Sequence, residues 1–353
     1  MINGVKLETI DGKCKNCGNN LKYSPNDGAL KCEKCGTKEV IKFSTNNAKL
    51  PYDKIDENGI NCWRNEEKYI KCKSCGSTIE LKNNEISIEC PYCDSQNIVV
   101  EKDIKGLYPN SIIRFAFDKV QAGINFQKQV KKKFMAPRRF KKLLPENKID
   151  GFYFPAFSFD ADTSSTYNGV LYRYETHGTG EHRQTTVVRF NIKGNLNFKH
   201  RDVLVESSSR LTQFELKSLL PFDFTHKADF KAEYMLGYKV EQYNEPFMTA
   251  VSKSAEMCKE QIRRAILSKY TYDGVDRLDV QTAYSNKCYA YYMMPVYTFE
   301  FMYKDKKYLA YMNGQTGKVG SGLPVSKVKV AFGIIFSVLI ILIPILLVLF
   351  LGD

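Results

Sequence analysis

Residues 14–36 read CKNCGNNLKYSPNDGALKCEKCG, and residues 72–94 read CKSCGSTIELKNNEISIECPYCD. Each stretch carries two CxxC pairs with fourteen residues between them. Cys14, Cys17, Cys32 and Cys35 form one set of four thiols, and Cys72, Cys75, Cys90 and Cys93 form the second. A CxxC knuckle puts two sulfurs on one cation, and four thiolates suit tetrahedral zinc. Gly18, Gly36 and Gly76 follow the second cysteine of their knuckles and supply the left-handed turn a knuckle needs. Both stretches place two short strand segments about a turn: NLKYS and ALKCE about residues 25–28, and TIEL and EISIE about residues 82–84. The spacing predicts two rubredoxin-like ribbons, each holding one structural Zn2+. Neither ribbon has enough apolar residues to fold unaided, so the metal would supply folding free energy of about 10 kcal/mol or more. Redox CxxC pairs do not come as matched tandem couples, and a site closed by four thiolates has no position for a catalytic water.

The other three of the eleven cysteines read differently. Cys258 falls on the apolar stripe of a helix, and Cys288 opens an aromatic strand, so both read as core thiols. Cys62 stands beside Trp63 and is not assigned as a ligand.

The chain has 353 residues, too many for zinc ribbons alone. Its 22 Tyr and 22 Phe provide for a separate packed core. The formal net charge is +13, from 40 Lys and 12 Arg against 39 acids. That balance fits nucleic acid or an anionic surface, but Lys is not the bidentate fork preferred for bases and phosphates. The opening MINGVKLETIDGK has no apolar core region, so no secretory signal is expected. At the other end, residues 330–351 run uncharged for 22 positions, enough at about 1.5 Å per residue to span a bilayer. Lys318, Lys327 and Lys329 precede this run. The pattern predicts a single-pass, tail-anchored membrane protein with its N-terminal domains in the cytoplasm.

Between these ends, residues 117–134 and 245–270 have helical periodicity, and aromatic-rich segments follow each. Phe154-Pro155-Ala156-Phe157-Ser158-Phe159-Asp160 echoes Met294-Pro295-Val296-Tyr297-Thr298-Phe299-Glu300, which reads as an internal duplication. The expected fold class is α+β. Zinc ribbon 1 occupies residues 1–48, and a linker with zinc ribbon 2 occupies 49–104. An aromatic-rich domain follows over 105–323, with halves at about 105–243 and 244–323, and a transmembrane helix over 324–353 closes the chain.

Three further segments invite chemistry. KQVKKKFMAPRRFKK (128–142) carries Lys128, Lys131, Lys132, Lys133, Arg138, Arg139, Lys141 and Lys142 with no acid. Its lysines are expected on the polar side of a helix whose apolar side holds Val120, Ile124, Val130 and Phe134. A solvated helix face is the first reading of this patch; among ligands, anionic lipid stands ahead of nucleic acid, for which interleaved stacking aromatics are few. NGQTGKVG (313–320) resembles a fragment of a phosphate loop, but two residues separate the glycines and Val319 follows Lys318, so no nucleotide is expected. His177 and His182, with Glu175 and Glu181, sit at a Gly-marked hairpin tip, and His200 and His226 are isolated. No catalytic residue is assigned, and the chain does not read as an enzyme.

The ribbons, GFYFPAFSFDADTSSTYNG (151–169), LLPFDFTHKADFKAEYMLGYKVEQY (219–243), YMNGQTGKVGSGLP (311–324) and the apolar tail together carry a resemblance. The chain resembles the bacterial transcription-factor-IIB-type zinc-ribbon membrane proteins, often mislabelled as relatives of the primosomal replication helicase. Members are often encoded beside flotillin-like (SPFH) and PspA-type membrane-stress proteins, so the resemblance implies an adaptor that recruits such proteins. It implies no catalytic residue. The tandem ribbon departs from relatives whose ribbon number varies. The expectation is therefore a tail-anchored adaptor using structural zinc ribbons to gather protein partners. A membrane-tethered nucleic-acid binder and an enzyme centred on His177 and His182 are the two alternatives.

Overall fold

The computed structural model of the chain describes residues 12–42, 49–52, 68–72, 78–81, 85–90, 96–98, 107, 109–142, 148–178, 183–208 and 210–351. Strand outweighs helix, 44% against 26%, so the expected α+β class gives way to a mostly β fold. The excess comes from three long strands: β10 (Lys148–His177), β11 (Gln184–Glu206) and β14 (Gly274–Tyr303). Two compact units result. The first comprises Met1–Phe159, Leu204–Lys253 and Cys288–Pro324, the second Asp160–Val203, Ser254–Lys287 and Val325–Asp353.

The first unit begins with β1 (Leu21–Ser24), β2 (Ala29–Cys32) and β3 (Lys38–Val40), an antiparallel sheet in that order. The turn at residues 25–28 closes β1 onto β2, and Gly28 has the positive φ of 61° that glycine adopts without strain. The next strands are β4 (Leu50–Pro51), β5 (Lys68–Lys71), β6 (Thr78–Leu81), β7 (Glu85–Glu89), β8 (Gln96–Ile98) and β9 (Ser111–Ile112). In the second ribbon, TIEL and EISIE are both strands, but they belong to different sheets. β6 pairs with β5, and β7 pairs with β8 and with β13 (Lys239–Glu241).

Helix α1 (Lys119–Lys132) and helix α2 (Arg138–Lys142) come before β10; α3 (Gln213–Leu219), β12 (Ala228–Asp229) and β13 (Lys239–Glu241) follow β11. Helix α4 (Phe247–Leu267) leads into β14, and β15 (Lys306–Asn313) returns along it from Val296 opposite Asn313 to Tyr303 opposite Lys306. The main sheet of this unit has the order β12-β9-β14-β10-β13-β7-β8, with β4 and β15 also on β14. Both of its faces are covered. Phe152, Phe154 and Ala156 join Tyr292, Met294, Val296, Leu216 and Leu219 in one cluster. Tyr153 and Phe157 point the other way and meet Phe115, Tyr243, Phe247 and Tyr291. Strands buried on both faces lose the apolar–polar alternation that would mark their length.

Helix α1 keeps Val130 of the expected apolar face buried and corrects the other three positions. Ala122, Phe126 and Val130 are the buried series, with Phe126 stacked on Phe299 at 3.9 Å between ring centroids. Val120, Ile124 and Phe134, expected inside, are exposed at 74%, 53% and 72%. At about 100° per residue, the two-position offset carries the face to the far side of the helix.

In the second unit, α4 covers the sheet portions of β10, β11 and β14. Ile262, Ile266 and Leu267 pack on Tyr167, Leu171 and Ile192. Along β10 the inward positions are Ala161, Thr163, Ser165, Tyr167 and Leu171. Hydroxyl-bearing side chains on the buried face explain why hydropathy alone understates this strand.

The expected transmembrane helix is also corrected. Helix α5 (Lys327–Leu351) forms over the apolar tail. Among the described residues no helix is long and apolar enough to cross a membrane, which overturns the tail-anchored, single-pass placement.

Candidate metal centre

The first knuckle is shaped by backbone hydrogen bonds: Gly18 N–H donates to Cys14 O at 2.8 Å, and Cys14 N–H to Asn19 O at 2.7 Å. The second repeats the plan, with Gly36 N–H on Cys32 O at 3.0 Å and Cys32 N–H on Thr37 O at 2.9 Å. Gly18 and Gly36 have φ of 70° and 74°, the conformation their place in the sequence requires. The two knuckles bring the sulfurs of Cys14, Cys17, Cys32 and Cys35 within 4.8 Å of one another, a group that could hold one metal ion. Cys14 and Cys32 are buried, and Cys17 and Cys35 are exposed.

Cys14 and Cys35 are held toward the thiolate that a cation needs. The Thr37 hydroxyl, 3.1 Å from Cys35 Sγ, is the main influence bringing that thiol down to about 6. The Cys17 backbone N–H likewise lowers Cys14. The Asn19 N–H acts downward on Cys17, yet the neighbouring sulfurs, Cys35 first, push it up to about 12. Without a cation four adjacent thiolates repel one another, and a divalent ion removes that conflict.

The ribbon is fastened to the rest of its unit. Tyr23 N–H donates to Leu236 O at 2.8 Å, and the Tyr23 ring meets Tyr234 edge-on at 5.3 Å. Asn26, at the β1–β2 turn, donates to the Asp118 carboxylate at 2.7 Å. Asp118 is also the N-cap of α1, accepting from Gln121 N–H at 2.8 Å. Between ribbon and helix lies a cleft of about 580 Å³ lined by Lys22, Tyr23, Lys31, Lys119, Val120 and Tyr238, among others. The cysteine spacing foretells the metal group, but nothing local in the sequence joins Asn26 to Asp118, 92 positions away.

The other candidates separate. Cys72 and Cys90 are buried, while Cys75, Cys93 and Cys62 lie outside the described residues. Cys258 is buried on α4, and burial pushes its thiol up to about 11; Cys288 is half-buried. Lys128, Lys131, Lys132, Arg138 and Arg139 are exposed. The Lys133 ammonium donates to Val319 O at 3.2 Å and that of Lys141 to Lys131 O at 2.8 Å, so part of the basic run is tied to backbone. Lys142 ends α2, and its side chain lies outside the described residues.

The phosphate-loop lookalike is a turn. Asn313 is fully buried; its amide donates to Leu219 O and Pro221 O, and its carbonyl accepts from Gln315 and Thr316 N–H. His177 is 70% exposed, 3.6 Å from Glu175, whereas His182 and Glu181 lie outside the described residues. His200 is buried between Thr163 Oγ1 at 3.2 Å and Gln261 Oε1 at 2.7 Å, and His226 is an exposed partner of Asp223 at 2.7 Å.

The uncharacterized protein YdjG of Bacillus subtilis (strain 168) is similar to this chain, 26% identical over 323 residues that make up 91% of this chain and 92% of the relative. The two chains thus share nearly their whole extent, and the relative's description assigns it no activity. No family model matches the chain, and no solved structure matches it.

Proposed function

We propose that the chain is a docking scaffold, not an enzyme, in which a zinc-held ribbon fixes one wall of a protein-binding cleft. The observation that carries this reading is the fastening of the four-cysteine ribbon to α1, with the cleft of about 580 Å³ between them. Zinc is the ion that four thiolates in tetrahedral array favour, and such a set leaves no position for water or substrate. The metal's part is then to hold β1 and β2 rigid, since so small a sheet has little core of its own. Cys72, Cys75, Cys90 and Cys93 hold a second zinc in this reading.

The cleft suits a partly apolar, acidic segment of a partner protein. Val120 is exposed on its wall, and Lys22, Lys31 and Lys119 border it together with Glu33 and Asp118, Lys22 pairing with Glu33 at 2.9 Å and Lys31 with Asp27 at 3.6 Å. Flotillin-like or PspA-type proteins are the partners the family resemblance suggests. Affinity capture with the full chain tests this reading, comparing wild type with Val120→Glu in the cleft and Val187→Glu at an exposed site elsewhere. Partner recovery falls about tenfold for Val120→Glu alone. Equal recovery from all three, or recovery abolished by nuclease, contradicts the proposal.

A further inference from the structure

The second unit holds a separate cavity that neither the ribbon nor the docking role uses. Its volume is about 320 Å³, and Lys259, Ile262, Arg263, Leu278, Val280, Thr282 and Tyr284 line it. The residue spacing makes it a groove between one helix and one strand. Lys259, Ile262 and Arg263 are at i, i+3 and i+4 on α4, hence on one helical face. Leu278, Val280, Thr282 and Tyr284 are alternate positions of β14, hence on one face of the strand.

The strand row changes character along its length, from two aliphatic side chains to two hydroxyls. Thr282 Oγ1 is already engaged, 2.9 Å from Ser165 Oγ. Tyr284 Oη is not: it is sealed from solvent with no hydrogen-bond partner among the described residues. Tyr284 lines the cavity, and a buried hydroxyl left unpaired costs free energy that a ligand atom reaching it would recover. On the helix side, Lys259 bonds Glu256 at 2.6 Å on the surface, an exposed pair of the kind that yields readily to a competing anion. Arg263 forms no ion pair among the described residues, and its planar fork matches a carboxylate.

We infer that this groove binds a small amphipathic carboxylate, of the medium-chain fatty acid class, with its apolar body on Ile262, Leu278 and Val280 and its carboxylate among Arg263, Lys259 and Tyr284 Oη. Size separates this class from membrane lipid. A cavity of 320 Å³ lies at the lower edge of the roughly 300–1,000 Å³ of ligand pockets, so a two-chain lipid does not fit. The inference is independent of the ribbon and of the docking proposal.

Titration of the full-length protein with decanoate, by calorimetry, tests it. Decanol, with the same chain and no charge, and inorganic phosphate, with charge and no chain, are the controls. Decanoate binds at one site per chain, decanol at least about tenfold more weakly, and phosphate more weakly still. Arg263→Gln weakens decanoate about tenfold. Tyr284→Phe weakens it about fivefold, while the thermal midpoint of the ligand-free protein stays level or rises because an orphaned hydroxyl is removed. Decanoate binding no tighter than decanol overturns the inference. So does a Tyr284→Phe variant with a lowered midpoint and unchanged decanoate affinity, because Tyr284 then serves the fold alone.

Discussion

Asp118 divides its carboxylate between two tasks: one oxygen caps α1 through Gln121 N–H at 2.8 Å, and the other accepts the Asn26 amide of the metal ribbon at 2.7 Å. The pair predicts a separable effect. Asp118→Ala loses both contacts and lowers stability by about 1–3 kcal/mol, the sum of a cap and a hydrogen bond. Asp118→Ser keeps a capping oxygen and recovers the larger part. Denaturant unfolding of the two variants checks this: equal losses would mean that the cap adds nothing, and full recovery in Asp118→Ser would mean that the ribbon contact adds nothing.

Metal content gives a second prediction. The wild-type chain carries two zinc ions by elemental analysis, and the double variant Cys14→Ser, Cys32→Ser carries one. Losing the ion removes about 10 kcal/mol or more of apparent folding free energy from the first ribbon. Amide exchange at Tyr23 therefore accelerates in the variant, while that at Phe154 in the main sheet does not.

Two neighbouring positions on α1 test the corrected helix face. Phe126→Ala costs about 3–5 kcal/mol, because Phe126 is fully buried on Phe299. Ile124→Ser, at a position 53% exposed, stays within about 0.5 kcal/mol. Chemical denaturation checks this ordering, and the reverse ordering would contradict the buried series.

Why that pattern misleads is physical. Helix 119–132 has three buried residues, one of them Ala122, and leaves Val120 and Ile124 in solvent, so hydropathy points to the wrong side. In β10 the error is one of length. Tyr153 and Phe154 are both buried because both sheet faces are covered, and farther on Thr163 and Ser165 fill inward places that apolar residues usually take. The Cys14–Cys35 group was legible because its ligands are local pairs with fixed spacing. Its fastening to Asp118 and Leu236 was not, since those contacts come from folding distant segments together. Residues 330–351 have the composition of a span and lie in α5, while among the described residues no helix is long and apolar enough to cross a membrane.

Glu206 supplies a pH dependence. Burial raises its carboxyl above the ordinary carboxylate value, although Lys253 at 3.3 Å opposes the shift. A raised carboxyl in the folded chain binds its proton more tightly than in the unfolded one. Its contribution is thus fully present below the unfolded value of about 4.3 and is lost as pH rises through the folded value. Glu206→Gln flattens that decline. Thermal midpoints of both proteins across pH 4–8 check the sign, and a wild-type contribution that grows with pH over this window contradicts it.

The central claim is that the first metal ribbon makes a surface that partners grip. Crosslinking in intact cells with mass spectrometry of the captured proteins tests it most directly, using wild type and the Cys14→Ser, Cys32→Ser variant at matched abundance. The account predicts a defined set of partners crosslinked near residues 22–36 and 118–120, reduced about tenfold in the variant while crosslinks within the second unit persist. The same partners captured in equal amount by the variant would contradict it.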